Sequence, residues 1–158
     1  MPITKATRDD FGDLLVLMRG YCDFYEVAPT DESLLNLMTT LEADPAEGVQ
    51  LIARDTSGVA VGFATVYWTW QTLSAARAGL MNDLFVVPEA RGQLWADALI
   101  DACGGLCRER GIETLIWQTA LDNERAQAVY RRVGGKSERW MDWSLDVTEP
   151  IGTQAPGA

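Results

Sequence analysis

The chain has no histidine. It lacks the side chain that most often moves protons near neutral pH, so carboxylates, phenols or water must do that work. Cysteine is scarce. Cys22, Cys103 and Cys107 form an odd set of three without C-x-x-C spacing, which argues against a disulfide framework and for reduced thiols. Cys103 and Cys107 stand four apart on a helical stretch and could touch one metal. With no third ligand in view, packing is the favoured reading and no metal is expected. No apolar run is long enough to span a bilayer. The longest, residues 59–70 (VAVGFATVYWTW), suits a buried strand and no membrane partner is expected. Lys and Arg number 13 against 23 Asp and Glu, for a formal charge of −10. That balance argues against nucleic acid; it suits a cationic small molecule or a basic peptide, or serves only solubility. No basic head precedes an apolar run at the N-terminus, so no signal peptide is read and the expected location is cytoplasmic.

What is present supports one folded domain. The 158 residues are 47% hydrophobic, with no internal repeat and no linker. The expected domain covers residues 1–150, with a flexible tail at 151–158. Residues 3–8 read as a strand, with Asp9 and Asp10 as candidate caps of a helix over 10–26 that Pro29 breaks. A second helix is expected over 31–43. The period then changes: residues 49–55 and 59–70 form a hairpin about Thr56, Ser57 and Gly58, and 77–87 is the next strand. A helix over 94–110 stops at Gly111. Residues 114–120 are a strand, Asn123 caps a helix through Val133, and 141–147 (MDWSLDV) alternates as a closing strand. The class is mixed α/β, with antiparallel strands first and a β-α-β crossover in the middle.

Three stretches carry chemistry in order: the strand MNDLFVV, the turn and helix RGQLWADALI, and the segment DNERAQAVYRRVGG. The turn suits an anion held by backbone N–H groups at a helix N-terminus. Such a cradle favours small residues, yet Leu94 and Trp95 stand in it. A positive φ at Leu94 would be strained by about 1–2 kcal/mol. A place already inside the first helical turn would allow the side chain. Tyr130 lies about two turns into the last helix, where a lone tyrosine is usually core.

Together these stretches resemble the GNAT superfamily of acyl-CoA-dependent N-acetyltransferases over almost the whole chain. Arg91, Leu94 and Ala96 occupy the places of that family's Arg/Gln-x-x-Gly-x-Gly/Ala signature, and NERAQAVYRRVGG is similar to its Asn-x-x-Ala-x-x-x-Tyr helix. The segments YWTWQTLSAARAGLMNDLFV and WMDWSLDV resemble a bacterial branch of small-amine acetyltransferases, with diamine acetyltransferases more distant. The resemblance implies a mostly antiparallel central sheet flanked by helices, and acetyl-CoA as co-substrate. Leu84, Phe85 and Val86 would pair with the pantetheine arm, the Val86 N–H facing the thioester oxygen. Arg91, Gly92, Gln93, Leu94, Trp95 and Ala96 would hold the pyrophosphate. Tyr130 would protonate the departing sulfur, and Asn123 would cap and orient. A homodimer is a further implication, with Trp140 and Trp143 available to an interface.

The acceptor amine must lose a proton. Asp83 is the first candidate for base or anchor, with a purely structural role the alternative; Asn82 stands where diamine acetyltransferases carry glutamate. Tyr21, Asp23, Tyr25 and Glu26, with Trp68 or Trp70, are candidates for binding a small cationic amine, or else for packing and solvation. Two readings follow. The first is acetyl transfer to a primary amine by direct attack on the thioester. The second is a silent module of the same fold that binds a protein partner or acyl-CoA without turnover.

Overall fold

The computed structural model describes residues 1–148; the expected tail at 151–158 lies outside the described residues. Strand β1 (Ile3–Lys5) leads through a single 3-10 turn to helix α1 (Phe11–Phe24), and α2 (Asp31–Ala43) follows. Then come β2 (Gly48–Arg54), β3 (Ala60–Gln71), β4 (Ala76–Val86), α3 (Trp95–Glu109), β5 (Leu115–Ile116) and α4 (Glu124–Arg132). The five strands form one sheet in sequence order. All pairings are antiparallel except β4 with β5, which the α3 crossover makes parallel.

Period-two alternation explains why the central strands read as near-continuous apolar runs. On β2, Val49 and Leu51 face the α3 side and pack with Val66, Leu99 and Cys103. Ile52 faces the other side, where it meets Leu14, Met38, Phe63 and Phe85 beneath α1 and α2. Both faces are covered, so both need apolar residues. Helix α3 lies close on the sheet at Gly79, where a Cβ would come within 2.5 Å of the Cys107 sulfur. Cys22, Cys103 and Cys107 are free thiols buried in this packing. Burial, then the neighbouring Cys107, pushes the Cys103 thiol up to about 12.

Several boundaries differ from the sequence expectation. Helix α1 ends at Phe24, well before Pro29, because Glu26 turns left-handed (φ 56°) and the Val27 N–H closes onto the Cys22 carbonyl at 3.1 Å. Asp10 takes the N-cap position, as one of the two candidates, but its side chain makes no cap hydrogen bond. The Asp10 carboxylate instead takes the Thr7 N–H and hydroxyl, each at 3.0 Å, and the Arg54 guanidinium at 2.7 Å. The strand expected over 114–120 is paired only at Leu115 and Ile116, because β5 then parts from β4. Residues 141–147 form no strand. Met141, Trp143, Leu145 and Val147 are all exposed, and the Gln118 amide donates to Asp142 at 2.8 Å. Alternation predicts which face a strand would bury, but a strand also needs an edge to pair with, and this short β5 offers little.

Candidate active site

The divergence of β4 and β5 opens a cleft of about 540 Å³. Its walls are β4 from Met81 to Val86, the turn into α3, the stretch after β5 from Trp117 to Thr119, and one face of α4. Tyr21, Phe24 and Tyr25, at the end of α1, close one mouth. Beta-strand geometry aims the lining. At Asn82 the register with β3 slips, Thr65 facing Asp83 and Val66 facing Met81, so Asn82 is an extra residue in β4. The bulge turns the strand over: Phe85 packs on the α1 side and Met81 on the α3 side.

At the turn, Gly92 (φ 81°) and Leu94 (φ 64°, ψ 17°) both adopt left-handed backbone. Leu94 therefore meets the condition for strain, and its side chain is exposed. Trp95 resolves the other concern, since its ring is buried against the α3 core. No side chain caps α3, which leaves its first-turn N–H groups free to face an anion. Asp97 in that first turn works against an anion. Arg132 of α4 grips it with two hydrogen bonds, at 2.7 and 2.6 Å, and holds its carboxyl below the usual range. Arg91 spends its Nε on the Val86 carbonyl at 2.9 Å and lies over the Phe85 ring.

The opposite end is built from side chains. Asp83 is part-buried behind Tyr21 and Asn82, which line the cleft while Asp83 itself does not. The Asn82 amide donates to its Oδ1 at 3.1 Å. Burial pushes the Asp83 carboxyl above its ordinary value; hydrogen bonding from Thr65, Asn82 and Tyr21 opposes the rise. Burial, with Asp83 and Tyr25 nearby, pushes the Tyr21 phenol far up, so it stays protonated. The rings of Tyr21 and Tyr25 meet edge-on at 5.0 Å, as do those of Phe24 and Tyr25.

Across the cleft, Tyr130 is half-buried with its ring 5.4 Å from that of Trp117. Burial, and then Tyr25, raise its phenol above the ordinary value. Asn123 accepts the Ala126 N–H at 3.1 Å through Oδ1, which leaves its side-chain N–H₂ for the cleft it lines.

A model of the acetyltransferase (GNAT) family matches residues 15–135. The chain belongs to that family. The uncharacterized N-acetyltransferase YhfO of Bacillus subtilis (strain 168) is 31% identical over 134 residues, covering 85% of this chain and 89% of its own. Among solved structures, a probable acetyltransferase superposes with a TM-score of 0.82 at 28% identity, over 95% of this chain and all of its own. An aminoglycoside N-acetyltransferase, AAC(6')-Iy, in complex with CoA gives 0.74 at 18% identity, over 92% of this chain and 99% of its own, a likeness of fold. The GNAT fold is thus a mixed α/β sheet flanked by helices here, as its resemblance implied.

In this GNAT chain the cleft gathers Tyr21, Tyr25, Asn82, Leu84, Phe85 and Val86 with Arg91, Gly92, Leu94, Trp95, Ala96, Asn123 and Tyr130. Glu26, Gln93 and Trp68 stand outside the lining. Glu26 is used in the helix-ending turn, and the Gln93 amide donates back to the Glu89 carbonyl at 3.3 Å. Trp68 turns away because its indole N–H pins the Pro45 carbonyl at 3.0 Å while Arg110 lies over its ring at 4.3 Å. Trp70 is exposed beside Arg77. Arg125 and Arg132 were missed by sequence reasoning, although their separation of seven places both on the α4 face that carries Val129. Phe24 and Trp117 carried no signal beyond being apolar.

Among the described residues no helix is long and apolar enough to cross a membrane, and no group of three His, Cys, Asp or Glu could hold a metal ion.

Proposed function

We propose that the protein transfers the acetyl group of acetyl-CoA to the primary amine of a small cationic acceptor bound at the α1 end of the cleft. One observation carries the reading: a part-buried carboxylate, Asp83, stands behind Tyr21 and Asn82 at the end of the cleft that Phe24 and Tyr25 also line. Aromatic faces and a carboxylate attract an ammonium group.

The co-substrate fits the other end. The uncapped α3 N-terminus and the Gly92 turn suit the pyrophosphate, with Arg125 on the facing wall. The β4 stretch from Leu84 to Val86, paired with β3 on one edge and left without a partner strand on the other by the departure of β5, suits the amide-bearing arm. Acetyl-CoA supplies the activated carbonyl when bound; the chain's own residues handle the protons.

The Tyr21 hydroxyl lies between the cleft and Asp83. It passes its proton to Asp83 as it accepts one from the acceptor ammonium, and no phenolate forms. The freed lone pair makes the new C–N bond as the C–S bond breaks, the nitrogen gives its second proton to water, and the sulfur leaves against the Tyr130 hydroxyl and is then protonated from water. Burial widens the gap between the Tyr130 phenol and an ordinary thiol. Each further unit makes full transfer costlier by about 1.4 kcal/mol, so Tyr130 contributes chiefly as a hydrogen-bond donor to the departing sulfur.

The test is titration calorimetry with acetyl-CoA, followed by thiol release across a panel of diamines, amino sugars and neutral amines. Micromolar binding with turnover favouring polycationic amines is expected. Binding without turnover of any amine would favour the silent module, and no binding at millimolar acetyl-CoA would sink the enzyme and leave only a module that binds a protein partner.

A further inference from the structure

Asp83 is backed by polar side chains that the cleft does not expose. Gln50 on β2, Thr65 on β3 and Asp83 on β4 are direct cross-strand partners, one rung across three adjacent strands beneath α1. Around them that face of the sheet is apolar, with Ile52, Phe63 and Phe85. Gln50 and Thr65 are 6% and 0% exposed, the buried polar pair of an otherwise apolar core. A polar group at such depth costs stability unless it is bonded, and an apolar residue of similar shape would serve packing as well.

The bonding has a direction. The Gln50 amide donates to Thr65 Oγ1 at 3.3 Å and reaches the Met18 sulfur at 3.7 Å. An amide N–H can only donate, so Thr65 must accept from Gln50. Its one hydroxyl hydrogen is thereby left for Asp83, whose charged form it favours. The titratable groups facing Asp83 are Tyr21 from α1 and Tyr67 from β3, with neutral Asn82 beside it on β4. Burial and Asp83 raise the Tyr67 phenol too, so the surroundings are neutral across the working pH range.

We propose that Gln50 and Thr65 are positioning residues for acetyl transfer: the rung orients the Thr65 hydroxyl onto Asp83 and keeps that carboxylate fixed and ready to accept a proton. The inference rests on the reading of Asp83 as the base.

The test titrates Asp83 in the full chain by carbon-13 NMR of labelled aspartate, the resonance being assigned by its loss in Asp83→Asn. The pH profile of kcat/KM and the melting temperature are measured alongside. Thr65→Val, which keeps the shape and removes the donor, should raise the Asp83 midpoint by about one pH unit and move the acid limb of the profile with it. Thr65→Ser should restore both, and Gln50→Leu should shift them the same way by less. If Thr65→Val does not fold, Thr65→Ala carries the same expectation. A midpoint unmoved in folded variants that merely melt lower would overturn the proposal. A midpoint that moves while the acid limb stays would also overturn it, by refuting Asp83 as the base while leaving the rung's hold on that carboxylate.

Discussion

At the α3 end the cleft meets a helix N-terminus without a side-chain cap and the Gly92 turn, whereas at the α1 end it meets the side chains of Tyr21, Tyr25 and Asn82 with Asp83 behind them. The difference governs how each end tolerates substitution. A backbone donor is placed by φ and ψ, so Leu94 can occupy a left-handed position at a cost of about 1–2 kcal/mol while its side chain stays exposed. A side-chain site has no such latitude. Exchanging one oxygen for nitrogen at Asp83 would keep the shape and remove the proton acceptor. Substitutions at the α1 end should therefore act on rate, and those at the α3 end on affinity and stability.

The comparison breaks if Asp83→Asn is mild. We expect kcat/KM to fall about 1,000-fold, within the usual range for losing a general base. The same variant should be more heat-stable near pH 8, and the gain should shrink at pH 4. The folded-state value is raised, so the native protein binds more protons than the unfolded chain above the ordinary carboxylate value, and stability declines as pH rises through the raised one. Asparagine removes that decline.

Next in size, Tyr130→Phe should lower kcat about 100-fold and leave CoA affinity, measured by calorimetry, unchanged. An unaltered kcat would remove Tyr130 from the reaction.

At the other end, Arg132→Ala should weaken CoA binding only about two- to fivefold, because it bares the Asp97 charge in the first turn of α3. High salt should erase most of the loss. An affinity independent of Arg132 would mean that Asp97 does not face the bound anion.

Smallest of all, Leu94→Gly should raise the melting temperature by about 2–4 °C as the left-handed strain is relieved. Its effect on CoA affinity should stay under about twofold, because the ligand-free fold already holds the strained conformation and the relief is common to both states. A large gain in affinity would instead show that the turn rearranges on binding.

Much of this was legible in the chain. The apolar, strand-forming runs of residues 49–54 and 60–67, the helical spacing of 11–24 and 95–109, and the Asn123 cap all follow from local chemistry that each segment carries with it. The turn at 91–96 that opens α3 was legible for the same reason. The expected strand at 141–147 and the cleft-facing Trp68 were not local matters. The first needed an edge to pair with, and the second was decided by Pro45 and Arg110, residues distant in sequence.

Asp83 shows where the boundary falls. Its type and its place on a strand are written in the sequence, and so is the absence of histidine that makes it the candidate base. That Gln50 and Thr65 complete a rung with it depends on a strand register spanning more than thirty residues, and on the extra residue Asn82 that reverses β4. Residue types and local periods set the elements and their chemistry. Register, bulge and the parting of β4 from β5 chose which groups meet, because those are properties of paired strands and not of any one of them.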